Sequence, residues 1–119
     1  MITWSTNVQV YLHRQPVDFR RQINGLSLIV QDAMQLDPYA EALFVFCNRS
    51  RNRIKVLYWQ RNGFCLWLKR LEKHKFAWPT KLLTQDVITL EANELQWLLD
   101  GFDIWRQPPH QALNYTAVG

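Results

Sequence analysis

Residues 43–71 read LFVFCN, RSRN, RIKVLYWQ, RNG and FCLWLKRL, which is three apolar runs of strand length separated by two polar turns. Aromatic and β-branched residues fill the runs, and these residue types favour strands over helices. Asn62-Gly63 is a strong hairpin signal, because both central positions of such a turn need a positive φ angle. The stretch therefore predicts an antiparallel meander of three strands.

The two turns also predict the register of the meander. A turn at Asn62-Gly63 gives the cross-strand pairs Trp59–Leu66, Leu57–Leu68 and Lys55–Arg70. A loop at residues 49–52 gives the pairs Phe44–Leu57 and Phe46–Lys55. Both faces of this sheet then carry apolar side chains. In an antiparallel sheet with one solvent-exposed face, apolar and polar residues alternate more regularly along each strand. We therefore expect both faces to be covered, by helices, by a second subunit or by a partner.

The flanking segments supply further elements. Residues 8–13 alternate apolar and polar side chains, which predicts an additional strand. Asp18 is a good N-cap for a helix that follows. Its apolar positions recur at helical spacing: Phe19, Ile23, Leu26, Val30 and Ala33. Gly25 within this pattern marks a candidate break into two short helices.

A second helix is predicted near the C-terminus, after a short strand at Val87 and Ile88. Thr89 is its candidate N-cap, and Gly101 is its natural C′ residue. The predicted apolar stripe is Leu95, Leu98, Leu99 and Phe102. The fold prediction is thus α+β: an antiparallel sheet built on the meander and joined by the N-terminal strand, with two helical segments packed on it. Residues 1–107 form its single domain, and residues 108–119 are expected to be a flexible tail or to dock on another chain.

Composition limits the class of protein. A chain of 119 residues with 48% hydrophobic side chains is long enough for one domain with its own core. The first eleven residues lack the apolar core of a signal peptide, and no apolar run approaches the roughly 20 residues that span a bilayer. A cytoplasmic location without membrane contact is therefore predicted. Cys47 and Cys65 lie on non-adjacent predicted strands, offset along the strand direction, and are expected to be buried thiols.

Few catalytic arrangements fit the sequence. The histidines His13, His74 and His110 lack the spacing of metal ligands, and neither a nucleophile motif nor a glycine-rich phosphate loop is present. The acids available for a two-metal nuclease are Asp18, Glu72, Asp100 and Asp103, but a cap, a helix end and its exit account for most of them. No enzyme activity, metal or cofactor is predicted.

The distribution of charge carries more information than the net value of +4. Residues 49–75 contain one acid, Glu72, and nine bases: Arg49, Arg51, Arg53, Lys55, Arg61, Lys69, Arg70, Lys73 and Lys75. These bases are the candidate nucleic-acid-binding residues, since arginine binds phosphate bidentately. Trp59, Trp67 and Trp78 are candidate surfaces for stacking or for a protein partner. A solvated turn that keeps the meander soluble remains the alternative interpretation.

The same residues resemble a known family. The block LFVFCNRSRNRIKVLYWQRNGFCLWLKRLE, followed by KFAWP, is similar to the small accessory protein called TnpB, the second open reading frame of the sixty-sixth insertion-sequence family of bacterial transposable elements. PVDFR at 16–20 and LLDGFD at 98–103 match in the same order. The chain is far too short to be the RNA-guided nuclease that shares the name TnpB.

The resemblance implies a protein required for DNA transposition beside a separate, larger transposase, and it assigns no catalytic residues. Two functions follow as expectations. The first is a non-enzymatic accessory factor whose basic meander contacts phosphates of the element DNA. The second is an interaction module that binds the transposase, or a second copy of the chain, through an aromatic sheet face. A metal-dependent nuclease is a third hypothesis.

Overall fold

A computed structural model describes residues 4–106 of the chain. Five strands, β1 to β5 in chain order, form one sheet: Gln9–His13, Ala42–Cys47, Arg53–Gln60, Gly63–Arg70 and Val87–Leu90. Their order across the sheet is β4-β3-β2-β1-β5. Helices lie between β1 and β2 and after β5. The α+β class is therefore confirmed, and the predicted tail at residues 108–119 lies outside the described part.

The sheet is mixed, so the prediction of a purely antiparallel sheet is wrong. β1 pairs in parallel with β2, with Val10 opposite Leu43, and pairs antiparallel with β5 on its other side. A parallel neighbour requires a crossover connection, and the helical segment between β1 and β2 supplies it. The meander pattern by itself does not contain this information, because the direction of β1 depends on the path of the helix.

The register of β2 with β3 is as predicted, with Phe44 opposite Leu57. The register of β3 with β4 differs from the prediction by two residues, and the observed pairs are Trp59–Phe64, Leu57–Leu66, Lys55–Leu68 and Arg53–Arg70. The tight turn is Arg61-Asn62, with Arg61 at a φ of 58°, and Gly63 is already paired with Gln60. A shift by two residues leaves every side chain on its predicted face, because strand side chains alternate with period two.

The first helix comprises an α-helical part, α1, at Ile23–Leu28 and a π-helical turn at Ile29–Ala33. Its N-cap is Gln22, so the assignment of Asp18 as the cap is wrong; Asp18 instead forms a turn by accepting a hydrogen bond from the Arg20 backbone. The change of helix type occurs after Leu28, three residues beyond Gly25. Three residues on the inner side are buried, namely Leu26, Val30 and Met34, whereas Ala33 is exposed.

The second helix, α2, spans Ala92–Leu99 and begins with a capping box. Glu91 is the N-cap, and the Glu94 side chain accepts a hydrogen bond from the Glu91 backbone. Thr89 lies within β5, so its predicted capping role is wrong. Gly101 occupies the predicted C′ position with a φ of 100°. Phe102 does not extend the buried stripe, since its side chain is 56% exposed.

Each face of the sheet carries its own hydrophobic core. On one face α2 packs with β-strand residues and with Phe76, Trp78 and Ile104. On the other face α1 and the π-helical turn cover Phe44, Phe46 and Leu57. The expectation that both faces are covered is therefore confirmed, and helices of the same chain provide the cover. Among residues 4–106, no helix has the length and apolar character needed to cross a bilayer.

Candidate nucleic-acid interface

The loop between β2 and β3 is held by the side chain of Asn48. Its Oδ1 accepts hydrogen bonds from the backbone N–H groups of Asn52 and Arg53, both at 3.1 Å. Its Nδ2 donates to the Asn52 side chain at 2.7 Å. Arg51 adopts a left-handed conformation, with a φ of 62°, which a non-glycine residue rarely takes without support of this kind. The loop therefore presents the exposed side chains of Arg49 and Arg51 from an ordered turn.

The chain beyond β4 returns to this loop. The Leu71 backbone donates to the Asn52 carbonyl at 2.8 Å, and the Phe76 backbone donates to the Arg51 carbonyl at 2.7 Å. These two bonds bring the exposed residues Lys73 and Lys75 to the same end of the sheet as Arg51. Six exposed bases thus share this end, and we call them the basic loop cluster: Arg49, Arg51, Arg53, Arg70, Lys73 and Lys75.

Little carboxylate neutralises the basic loop cluster. Glu72 pairs with Arg70 at 2.9 Å, and both side chains are solvent-exposed. Asp18 lies beside the loop, but Arg20 already binds it at 2.5 Å. The hydrogen bonds from Arg20 lower the pKa of Asp18 to about 2. Arg53 stands opposite Arg70 on the neighbouring strand, an arrangement that an anion would stabilise.

Three of the nine predicted bases lie outside the cluster. Lys55 is buried, and its Nζ donates to the carbonyls of Phe19 and Arg21 at 3.0 and 2.9 Å. Lys69 donates from Nζ to the Leu99 carbonyl at the end of α2, at 2.8 Å. Arg61 lies in the β3–β4 turn, eight residues along the strand from Arg53 and thus about 26 Å away. Lys55 and Lys69 therefore serve the fold, and the predicted Lys55–Arg70 pair does not form.

The three predicted partner-binding tryptophans are also dispersed. Trp78 is 5% exposed, and its indole N–H donates to the Arg14 carbonyl at 2.7 Å. Trp67 packs on the core and against Trp4, with ring centroids 5.8 Å apart. Trp59 is partly exposed and forms an aromatic cluster with Phe64 and Tyr39. The centroid of the Trp59 ring lies 5.0 Å from the centroid of each of these two rings. Of the three, Trp59 is the one whose ring packs against an exposed aromatic side chain, that of Tyr39.

A groove that the sequence did not predict lies next to the basic loop cluster. It has a volume of about 450 Å³, and Arg49 and Arg51 of the loop form part of its lining. The rest of the lining comes from distant parts of the chain and includes Lys81, Trp105 and Arg106. No local pattern marks these three residues, because only the packing of the segment after β4 and the segment after α2 brings them to the loop.

Residues 4–106 contain no group of three or more His, Cys, Asp or Glu side chains placed to hold a metal ion. Cys47 and Cys65 are free thiols that form no disulfide, as predicted. Cys47 is buried, and this burial raises its pKa to about 12, so the reactive thiolate is scarce at neutral pH. Cys65 is only partly buried, which corrects the expectation of two buried thiols.

The fold and this surface define a small α+β protein with a cationic end and a two-sided core. A sequence profile of the family described as IS66 Orf2 like protein matches residues 8–109. Two relatives from Sinorhizobium fredii (strain NBRC 101917 / NGR234) are each 35% identical to the chain and carry the names uncharacterized protein y4hO and uncharacterized protein y4jC. The first match covers 100% of both chains, and the second covers 87% of this chain and 86% of the relative.

The chain belongs to the IS66 Orf2-like family, the accessory proteins of that insertion-sequence family, which confirms the resemblance seen in the sequence. No solved structure matches it. Membership associates the protein with transposition. The names of the two relatives do not state a biochemical activity.

Proposed function

We propose that the protein is a non-enzymatic accessory factor in transposition that binds phosphates of the element DNA through the basic loop cluster. The observation that carries this proposal is the arrangement of six exposed bases at one end of the sheet, with Glu72 as the only acid among residues 49–75. The Asn48 hydrogen bonds order the loop before any ligand arrives, which reduces the entropy cost of binding.

The cluster predicts a marked dependence on salt. Each phosphate neutralised by a base releases counterions, so contacts to about four or five phosphates give a slope of about −4 for the logarithm of the association constant against that of the salt concentration. The binding constant of the full chain for a duplex from the element end, measured across a salt series, tests this. A flat salt dependence contradicts the proposal.

A pair of single variants locates the contact. Arg49→Ala is expected to weaken binding and to reduce the salt slope by about 1, because it removes one phosphate contact. Arg61→Ala removes the same charge from an exposed turn at the opposite end of β3 and is expected to leave both quantities unchanged. Equal losses in the two variants would show that net charge, rather than the basic loop cluster, determines binding.

A second candidate function is binding of the transposase, or self-association, through the aromatic cluster of Tyr39, Trp59 and Phe64. It is favoured by the exposure of two large apolar side chains. Tyr39, before β2, is 59% exposed, and Leu68, on the edge strand β4, is 53% exposed. Co-purification of the transposase with Tyr39→Ala, compared with the distant and equally apolar-to-small change Leu82→Ala, tests it. Loss of the transposase only with Tyr39→Ala supports this function, and retention with both variants contradicts it.

A further inference from the structure

The groove beside the basic loop cluster has the composition of a site for single-stranded nucleic acid. It is lined by four bases and one acid: Arg49, Arg51, Lys81, Arg106 and Asp103. Aromatic and apolar side chains also line the groove, among them Trp105 and the 46% exposed Leu82. Bases that follow a strand's phosphates, with an aromatic ring for a nucleobase, are the two components of single-strand binding sites.

One wall of the groove is fixed by Arg14, the residue that follows β1. Its guanidinium donates to the carbonyls of Thr80 at 2.6 Å and Gln85 at 2.7 Å, and its own carbonyl accepts the Trp78 indole N–H. These bonds hold the segment that carries Lys81. Thr80 also lines the groove, and its Oγ1 is buried without a hydrogen-bond partner among the described residues.

The other wall is fixed by Trp105 and by the loop. The Trp105 indole N–H donates to the Ala77 carbonyl, which joins the segment after α2 to the segment after β4. The hydrogen bond from the Phe76 backbone N–H to the Arg51 carbonyl then joins both of these segments to the loop. Arg106 is 70% exposed and lies 3.9 Å from Asp103, an exposed ion pair that contributes little and that a phosphate can replace.

The size of the groove favours an unpaired strand over a duplex. A volume of about 450 Å³ lies in the range of sites for small organic ligands, which is about 300–1,000 Å³. A nucleotide fits such a space, whereas the stacked bases of a duplex are closed to an aromatic side chain. We propose that this groove binds a single-stranded segment of DNA, with phosphates on Lys81, Arg106 and the two loop arginines and a nucleobase against Trp105. This inference deepens the proposed function and rests on it.

Two double variants separate the groove from the rest of the cationic surface. Lys81→Ala with Arg106→Ala removes the groove bases that the basic loop cluster does not share. Lys73→Ala with Lys75→Ala removes equal charge from outside the groove. For a single-stranded oligonucleotide of about a dozen nucleotides, the first pair is expected to weaken binding about tenfold and the second much less. For the matching duplex the order is expected to reverse.

Photocrosslinking supplies a second measurement that does not depend on variants. An oligonucleotide carrying 5-iododeoxyuridine is expected to crosslink to the peptide that contains Trp105. Crosslinks confined to other regions, such as Tyr39 and Trp59, or equal single-strand affinity in the two double variants, would overturn the inference. If duplex binding still depends on Arg49 in that case, the proposed function stands and only the groove assignment fails. If neither form of DNA binds, both are rejected.

Discussion

The Nζ of Lys55 donates a hydrogen bond to the backbone carbonyl of Arg21 at 2.9 Å, and this bond joins the centre of the sheet to the segment before α1. A second bond to the Phe19 carbonyl and a position 4.8 Å from the Phe19 ring centroid complete the surroundings of the ammonium group. The sequence pattern groups Lys55 with its exposed basic neighbours. Its role in the structure is to satisfy two carbonyls on an otherwise apolar face.

Lys55→Met is expected to lower the free energy of unfolding by about 2 kcal/mol. Met keeps most of the packing, but it leaves two carbonyls without their charged donor, and hydrogen bonds to charged groups contribute about 1.5–3 kcal/mol. Urea denaturation followed by tryptophan fluorescence measures the effect. Lys73→Met is the matched control, because Lys73 is exposed and a change there is expected to stay within about 0.5 kcal/mol. Equal stability of the two variants would refute a structural role for Lys55.

Gly101→Ala is expected to destabilise the protein by about 1 kcal/mol, because Gly101 is the C′ residue of α2 and has a φ of 100°. Gly63→Ala is expected to have almost no effect, since Gly63 is the first residue of β4 and a Cβ there would meet no atom within 4 Å. Thermal unfolding of both variants measures the difference. A cost of about 1 kcal/mol for Gly63→Ala would instead support a turn at Asn62-Gly63 and the register predicted from the sequence.

Cys65 is expected to react with a thiol reagent in the folded protein much faster than Cys47. Burial raises the pKa of Cys47 to about 12 and also blocks access, whereas Cys65 is partly exposed. Reaction of the native protein with a chromogenic disulfide is expected to release close to one equivalent rapidly, and the denatured protein two. Cys65→Ser identifies the site, because it should abolish the rapid phase. A rapid phase that persists in this variant would show that Cys47 is accessible.

His13 is expected to make the protein less stable in mild acid. Burial is the main cause that lowers its pKa below 6.5, assisted by Arg14, while the Gln15 carbonyl and Asp86 act in the opposite direction. The unfolded chain therefore binds a proton more readily than the folded one, so stability falls as pH decreases from about 6.5 through the lower folded pKa.

The test compares melting temperatures at pH 7.5 and pH 5. The decrease is expected to be smaller in His13→Gln than in the parent protein, because the variant has no imidazole to protonate. His74→Gln, at an exposed position, is expected to follow the parent protein. An identical decrease in all three proteins would mean that His13 does not contribute to the pH dependence.

The candidate site shows which of its residues local sequence patterns can predict and which they cannot. Arg49 and Arg51 follow from the turn between two strands, since a polar loop beside apolar runs must be solvated. The contributions of Lys81 and Arg106 do not follow, because each lies about 30 residues or more from the loop in sequence. Lys55 and Lys69 are the opposite case, since their long side chains reach backbone carbonyls that only the folded chain brings near.

The sequence by itself determined the strands of residues 43–71, the face on which each of their side chains lies, and the family. Alternation with period two survives a shift of two residues, so the faces were right although the β3–β4 register was not. The tertiary structure decided the parallel direction of β1, the aromatic pairing of Trp59 with Phe64 and the groove beside the loop. These features depend on contacts between segments that are distant in the chain. Such contacts produce no periodic pattern in the sequence.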